Sequence, residues 1–212
     1  MNVDFWNQKW KKYEIGFHES KPNPLLVSYF EKLKLVEGSR VFLPLCGKTL
    51  DIAWLLANGC RVVGAELSEL AIEQLFIELG FDPVVTKLDN IARYSAENID
   101  IFVGDIFELS SEIIGTVDAV YDRAALVALP EEMRKEYTKH LLEITSAARQ
   151  LLITFEYDQS LIDGPPFSLN SDEVNRHYKG SYSLECIESL SVLGGLKGRC
   201  AATEHVWLLK ND

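Results

Sequence analysis

The stretch FLPLCGKTLDIAWLLANGCRVVGAELSE, from Phe42 to Glu69, decides the fold. In it an apolar run enters a turn at Gly47, and a helical stretch follows. A second apolar run, from Arg61 to Leu67, then carries an acidic residue, Glu66, near its end. Strand, helix and strand in this order predict a βαβ unit of a parallel sheet. In such sheets the turn after the first strand brings backbone N–H groups close to a bound ligand.

The same alternation of short apolar runs and amphipathic helical stretches continues along the chain, as in an α/β protein. The predicted strands are Arg40–Leu45, Arg61–Leu67, Ile99–Val103, Val117–Tyr121 and Leu151–Tyr157. Two further candidates, Tyr182–Ile187 and Thr203–Leu209, flank a glycine-rich stretch that predicts a C-terminal antiparallel hairpin. This order predicts the Rossmann-like, seven-stranded, mostly parallel sheet of methyltransferases, with helices on both faces, better than that of a dehydrogenase.

The chain of 212 residues, 47% of them apolar, fits one domain spanning residues 1–212. Residues 1–38 precede the predicted sheet and are rich in aromatic residues, so we expect a helical lid segment there. Residues 39–212 would form the Rossmann-like core. The polar segment Thr86–Asn98 has no clear period, and we interpret it as a loop.

The formal net charge of −11 weighs against binding to nucleic acid or to an anionic membrane. The apolar runs are too short to cross a bilayer, and the N-terminus lacks the pattern of a secretion signal, so we expect a cytoplasmic protein. We also expect a monomer. The histidines show no metal-ligand spacing, which predicts no metal. We expect reduced, small hydrophobic residues at Cys46, Cys60, Cys186 and Cys200.

Glu66 stands nineteen residues after Gly47, where a carboxylate can accept hydrogen bonds from both ribose hydroxyls of an adenosyl ligand. The alternative is a carboxylate that only caps the helix after Ser68. The turn lacks the G-x-G-x-x-G pattern of dinucleotide binding. It is not a Walker A loop either, because Phe42 stands where that motif requires glycine.

Two later strand ends also carry charge. Asp105 follows the third strand and would reach towards an adenine, with the apolar residue after it against the ring. Asp122 and Arg123 end the fourth strand, where charge is costly unless it is paired or functional. Either Arg123 faces the place where donor and acceptor meet, or the two residues form a salt bridge that fixes the loop. The later string GPPF, Gly164–Phe167, is interpreted as a rigid loop.

Together these strings resemble the thiopurine S-methyltransferase family. The resemblance rests on the opening stretch, on YDRAALVALP from Tyr121 to Pro130, and on YDQ followed by GPPF. The N-terminal pattern W-x-x-K-W, Trp6 to Trp10, and Gly16-Phe17-His18 fit it as well. It extends from about Phe5 to Trp207, nearly the whole chain.

The resemblance implies a methyl donor, S-adenosylmethionine, and a small thiol acceptor. The residues that it places in contact with this donor are Trp10, Leu45, Glu66, Ile106 and Arg123. Trp10 would lie over the adenosyl group or sulfonium, Leu45 would contact the donor through the first turn, and Ile106 would lie beside the adenine. Arg123 would also be the catalytic residue, and Phe17 and Arg123 would contact the acceptor.

The sequence thus predicts an S-adenosylmethionine-dependent S-methyltransferase, without metal, that acts on small aromatic or heterocyclic thiols. Selenium and tellurium compounds are chemically plausible acceptors too. Two alternatives stay open. A metal-assisted O-methyltransferase could use Asp122 and Asp158 to share a Mg²⁺ ion. A non-catalytic module could bind an adenosyl ligand without turnover.

Overall fold

Residues 3–12, 14–16 and 18–211 are described by the computed structural model. The contacts within the chain separate two units, one ending at Ala119 and the other beginning at Val120. That the chain forms a single domain with an N-terminal lid stays a prediction. None of the helices in the described part of the chain combines the length and the apolarity that crossing a membrane requires.

The first unit contains five strands and five α-helices among its described residues. The strands are β1 (Arg40–Leu43), β2 (Arg61–Glu66), β3 (Val84–Leu88), β4 (Ile91–Ala96) and β5 (Ile99–Val103). The helices are α1 (Val3–Lys11), α2 (Pro24–Tyr29), α3 (Asp51–Ala57), α4 (Glu69–Leu79) and α5 (Ser111–Ile114). Short 3₁₀ helices span Phe30–Leu33 and Ile106–Glu108.

In this unit the strand order is β3-β4-β5-β2-β1, and β2 is parallel to both of its neighbours. Residues 62–66 of β2 are all buried, as expected for a central parallel strand whose two faces are both covered. The predicted βαβ unit therefore forms, and its second strand lies between β5 and β1.

The prediction of a loop over Thr86–Asn98 is wrong, because β3 and β4 form an antiparallel hairpin there and β4 pairs with β5. Every residue of β3 is exposed, so this edge strand has no buried face and leaves no alternation of apolar and polar residues. The turn of the hairpin contains Asp89, whose φ of 54° is left-handed.

The second unit contains four strands and two α-helices. The strands are β6 (Ala119–Arg123), β7 (Arg149–Tyr157), β8 (Ser183–Ser191) and β9 (Ala202–Lys210), in the order β6-β7-β9-β8. The helices are α6 (Glu131–Ile144) and α7 (Ser171–Tyr178), and 3₁₀ helices span Leu126–Ala128 and Gln159–Leu161. The predicted C-terminal hairpin is confirmed, since β9 is antiparallel to both β7 and β8.

All seven predicted strands are present, and the α/β class is confirmed. The predicted number of strands is wrong, because the described residues form nine strands. The sheet is also more mixed than predicted, since antiparallel pairing occurs at β3–β4, β4–β5, β7–β9 and β8–β9.

Helix α4 begins after Ser68, whose hydroxyl accepts from the Ala71 N–H, and ends at Gly80, which is left-handed. At the start of α7 only one half of a capping box forms. Asn170 Oδ1 accepts from the Glu173 N–H at 2.9 Å. The Glu173 carboxylate instead accepts from Arg134 Nε at 2.6 Å, and both side chains of this ion pair are buried.

All four cysteines are free. Cys46, Cys60 and Cys200 are buried, as predicted for small hydrophobic residues. Cys186 differs, because it lies exposed on β8, which ends the strand order of the second unit.

Candidate functional site

The turn that follows β1 contains two left-handed residues within three positions. Leu45 has a φ of 47° and Gly47 a φ of 54°. For glycine this conformation is unstrained, but for leucine it costs on the order of 1–3 kcal/mol. The Cys46 N–H donates to the Ala65 carbonyl at 2.9 Å, which ties the turn to the end of β2.

The carboxylate of Glu66 holds this turn and the start of α4 together. Its Oε2 accepts from the Gly47 N–H and its Oε1 from the Ser68 N–H, both at 2.8 Å. The residue is only 6% exposed. Because a carboxylate offers about four acceptor positions, Glu66 retains capacity for a further donor such as a ribose hydroxyl.

Burial raises the pKa of Glu66, and hydrogen bonds from the backbone N–H groups of Ser68, Gly47 and Leu67 oppose the rise. Burial, together with the negative charge of Glu66, also raises the pKa of the Cys46 thiol well above its ordinary value. Cys46 is therefore a neutral packing residue in the turn and not a nucleophile.

The end of β5 joins the same point of the structure. The Gly104 N–H donates to the Glu66 carbonyl at 2.9 Å. Gly104 has a φ of +153°, and a Cβ there would come within 3.1 Å of Ile91 Cγ1 and 3.3 Å of the Asn90 carbonyl oxygen. Glycine is therefore required for this strand end to approach the β3–β4 hairpin.

After Gly104 the side chain of Asp105 begins the 3₁₀ helix. Its Oδ1 accepts from the Phe107 N–H at 3.1 Å. Ile106, predicted beside an adenine, is buried and 2% exposed. Asp105 thus caps the 3₁₀ helix, and the adenine contact predicted for it stays a prediction.

Trp10 lies on α1 and is only 3% exposed. Helix α1 packs against α4, which begins three residues after Glu66. The N-terminal segment is also joined to α3, because the Asn23 N–H donates to Asp51 Oδ1 at 2.6 Å and Asp51 is buried. Sequence reasoning missed Asp51, and the available signal was an acidic residue in the first turn of a helix that follows the ligand-binding turn.

The ammonium group of Lys48 is directed to Glu78 on α4, with Nζ 2.6 Å from Oε1. The Lys48 side chain is largely buried in this pairing. This arrangement agrees with the sequence argument against a phosphate-binding Walker A loop, in which the lysine contacts the nucleotide phosphates.

In the second unit, β6 ends in Asp122 and Arg123. Asp122 is fully buried, and its Oδ1 accepts from the Leu126 N–H at 3.0 Å while its Oδ2 accepts from the Tyr137 hydroxyl at 2.7 Å. Arg123 is partly exposed, and the next residue, Ala124, is left-handed with a φ of 62°. Asp122 therefore fixes the loop after β6 to helix α6, and sequence reasoning missed Tyr137 as its partner.

Burial raises the pKa of Asp122 to about 6, although hydrogen bonds from Leu126, Tyr137 and Ala125 oppose the rise. Burial and the charge of Asp122 raise the pKa of Tyr137 far above its ordinary value, so its hydroxyl remains a donor.

The geometry disfavours the predicted alternative of a Mg²⁺ site shared by Asp122 and Asp158. Both oxygens of Asp122 hold buried partners, as described. Asp158 is exposed, and its Oδ1 accepts from the N–H and the hydroxyl of Ser160 at 3.0 and 2.7 Å. Within residues 3–12, 14–16 and 18–211 no three His, Cys, Asp or Glu side chains are grouped as a metal would require.

The loop Gly164–Phe167 is fixed at two points. The Phe167 N–H donates to the Val127 carbonyl at 2.6 Å, and the Tyr157 hydroxyl donates to the Pro166 carbonyl at 2.6 Å. The loop therefore joins the end of β7 to the segment after β6, which agrees with the predicted rigid loop.

The predicted site residues are thus distributed as follows. Trp10, Leu45, Glu66 and Ile106 lie in the first unit, on elements that contact one another. Arg123 lies in the second unit. Phe17, predicted at the acceptor, lies outside the described residues.

Comparison with known proteins identifies a family whose model matches the whole chain. The model of the thiopurine S-methyltransferase family matches residues 1–212. The thiopurine S-methyltransferase of Teredinibacter turnerae is 54% identical over 212 residues, which are 100% of this chain and 99% of the relative. That of Xanthobacter autotrophicus is 54% identical over 211 residues, 99% of each chain.

Solved structures with lower identity share the fold. A S-adenosylmethionine-dependent methyltransferase from Anabaena variabilis matches with a TM-score of 0.66 and 16% identity, covering 99% of this chain and 95% of the other. The 1,6-didemethyltoxoflavin-N1-methyltransferase of Burkholderia thailandensis, solved with its substrate and S-adenosylhomocysteine, matches with a TM-score of 0.68 and 15% identity, covering 99% and 87%. The chain therefore has the α/β methyltransferase fold.

The raised pKa of Asp122 predicts a pH-dependent contribution to the free energy of unfolding. Its folded value of about 6 lies above an unfolded value near 3.9, so between these values the folded state binds more protons. The stabilisation is fully present below about pH 4 and is lost as the pH rises through about 6, with an upper size of about 3 kcal/mol. Asp122→Asn, which cannot titrate, should lack this change.

Urea unfolding of wild type and Asp122→Asn at several pH values between 4 and 7 measures the difference. The matched control is Asp158→Asn, because Asp158 is exposed and Ser160 lowers its pKa. A difference between wild type and Asp122→Asn that stays constant with pH would contradict the expected titration.

Proposed function

The chain belongs to the thiopurine S-methyltransferase family of S-adenosylmethionine-dependent methyltransferases, and we propose that it methylates the sulfur of small aromatic or heterocyclic thiols. The observation that carries the proposal is the match to this family over the whole chain. Small selenium and tellurium compounds are further candidate acceptors, because they are soft nucleophiles like thiolates. The proposed enzyme is a cytoplasmic monomer that acts on small molecules, and its net charge of −11 disfavours a nucleic-acid substrate.

The first unit contains the residues that we propose for binding the adenosyl part of the donor. Glu66 would accept hydrogen bonds from the ribose hydroxyls with the acceptor capacity that its backbone donors leave available. Leu45 would contact the donor from the turn. Ile106 would lie beside the adenine through the small part of its side chain that is exposed.

Trp10 would hold the sulfonium by a cation–π interaction, on the order of 0.5–2 kcal/mol. Its burial on α1 and the packing of α1 against α4 support this role, because an aromatic ring held in place loses little freedom when the ligand binds. Phe17 is proposed as an acceptor contact on the family pattern alone.

The donor supplies a methyl group that is already activated by the sulfonium, so the protein mainly has to align the two reactants. Alignment of this kind can contribute up to about 7–11 kcal/mol in the best cases. An aromatic thiol ionises more readily than an ordinary thiol with a pKa near 8.5, so no strong general base is needed. Arg123 would stabilise the thiolate as a cation that cannot lose its proton.

A methyl-transfer assay with radiolabelled donor tests the proposed function. The acceptors are aryl and heterocyclic thiols, phenols of matched shape, and small selenium and tellurium oxyanions, each with and without EDTA. We expect transfer to the thiols, no loss with EDTA, and little transfer to the phenols. Transfer to phenols that EDTA abolishes would favour the metal-assisted O-methyltransferase, and donor binding without turnover on any acceptor would favour a non-catalytic module.

Replacing Glu66 with alanine should weaken binding of S-adenosylhomocysteine by about 1.5–3 kcal/mol, the range for hydrogen bonds to a charged group. Removing the 2′-hydroxyl from the ribose of the ligand should weaken binding less in the variant than in wild type. Calorimetry measures both ligands. Glu69→Ala is the matched control, because Glu69 lies exposed in the first turn of α4 and accepts from the Tyr94 hydroxyl.

The same substitution removes the acceptor of two backbone N–H groups, at Gly47 and Ser68, so a lower thermal stability is expected as well. Glu66→Gln retains one acceptor oxygen and serves if the alanine variant does not fold. Normal binding of both ligands by a folded variant would reduce Glu66 to a structural residue of the turn.

Arg123→Ala should lower kcat/KM for thiols more than it lowers donor affinity, because the guanidinium would act on the acceptor sulfur. The loss should be smaller for more acidic thiols, which need less help to ionise. Arg123→Lys should restore only part of the rate, since an ammonium does not reproduce the planar guanidinium. Arg176→Ala, which removes an exposed cation from α7 in the same unit, is the control.

Equal losses of donor affinity and rate for every acceptor, without dependence on thiol acidity, would make Arg123 a donor ligand only. Rates and donor affinities measured over a series of substituted thiophenols distinguish the two outcomes.

A further inference from the structure

A β-bulge in β8 places two nucleophilic side chains on one face of the C-terminal strands. The pairing of β8 with β9 shifts register between Cys186 and Glu188, so that Cys186 lies opposite Trp207 and Ser189 lies opposite His205. In a regular strand, residues three apart face opposite sides of the sheet. Because of the bulge, Cys186 and Ser189 both face the side on which His205 lies.

These side chains form a continuous hydrogen-bonded series. Cys186 Sγ lies 3.5 Å from Ser189 Oγ, and that oxygen lies 2.8 Å from His205 Nδ1. His205 Nε2 lies 3.2 Å from Glu156 Oε2 on β7. One tautomer allows this series: Nε2–H donates to Glu156, Nδ1 accepts from Ser189, and the Ser189 oxygen accepts from the thiol.

The surroundings fit a proton relay rather than a simple ion pair. Cys186 is exposed, whereas the side chain of His205 is 12% exposed and its ring lies 6.2 Å from the ring of Trp207. Sγ also lies 3.4 Å from the Glu188 carbonyl, the competing acceptor for the thiol proton. The thiol proton therefore has two acceptors within reach, the Ser189 oxygen and the Glu188 carbonyl.

A cavity of about 520 Å³ lies near this cluster, towards the end of the hairpin, and Glu156 belongs to both. Two further lining residues are Ser191, two residues after Ser189 on β8, and Thr203, two residues before His205 on β9. Its rim includes several glycines and a cationic side chain, Arg199. A small substituent attached to Cys186, particularly one with a carboxylate, would therefore have a place to lie.

We propose that Cys186 is a nucleophilic thiol that forms a mixed disulfide with small disulfides. Its proton passes to Ser189 as the Ser189 proton passes to His205 Nδ1, and the imidazolium formed is stabilised by Glu156. The thiolate attacks one sulfur of the disulfide, the S–S bond breaks, and the other half leaves as a thiolate that takes up the proton. One disulfide is consumed and one is formed, so no further oxidant or reductant is needed.

The proposal does not depend on methyl transfer, and its test uses the intact chain without a methyl donor. Oxidised glutathione, a small disulfide that carries carboxylates, is the probe, and intact-mass and peptide mass spectrometry follow the reaction at pH 7. We expect one glutathionyl group per chain, attached at Cys186, because Cys46, Cys60 and Cys200 are buried. Cys186→Ser should abolish the modification.

The relay is tested by the rate of modification. An ordinary thiol is only a few per cent thiolate at pH 7, so removal of the base by His205→Gln should slow the reaction on the order of tenfold. Ser189→Ala should slow it as well. Ser183→Ala, an exposed serine on the same strand, is the matched control and should react at the wild-type rate.

The wild-type pH–rate profile gives a second measurement that needs no variant. At pH 7, below the pKa near 8.5 of an ordinary thiol, the native chain should react faster than the same chain in denaturant, and the difference should narrow as the pH rises. Lack of modification, an unchanged rate in folded His205→Gln, or identical profiles for native and denatured chain would each overturn the proposal.

Discussion

The carboxylate of Glu66 is the constraint on which the strand ends of the first unit depend. One buried side chain accepts the N–H of Gly47 in the turn after β1 and the N–H of Ser68 at the start of α4. The carbonyl of the same residue accepts the N–H of Gly104 at the end of β5. Three strand ends are therefore positioned by one residue, and a change there alters the shape of the turn as well as the charge presented to a ligand.

The second unit uses a buried carboxylate in a related way. Asp122 lies near the end of β6 and accepts a hydrogen bond from the N–H of Leu126 in the following loop. Its burial raises its pKa. The difference lies in the remaining partner. The Tyr137 side chain of α6 donates to the second oxygen of Asp122, whereas the donors to the Glu66 carboxylate are backbone N–H groups. Asp122 thus fixes a loop to a helix, and Glu66 fixes the turn after β1 to the start of α4.

The sequence predicted those parts of the fold in which a local pattern reflects burial. Buried strands such as β2 leave apolar runs, and the position of Glu66 followed from its spacing to Gly47. The β3–β4 hairpin could not be predicted, because β3 is exposed along its length and bears no pattern. The contact of Asp122 with Tyr137 and the grouping of Cys186 with His205 depend on strand register and helix packing, which a single sequence does not encode locally.

A strained residue follows each of two strands, β1 and β6. Leu45 and Ala124 are both left-handed without being glycine, and each such position costs on the order of 1–3 kcal/mol. The hydrogen bonds of Glu66 and Asp122 are made with the segments that contain these residues, so they offset the strain within the protein itself. In the proposed function, a turn that is already held in place would lose little further entropy when a ligand binds, which would raise affinity without any additional contact.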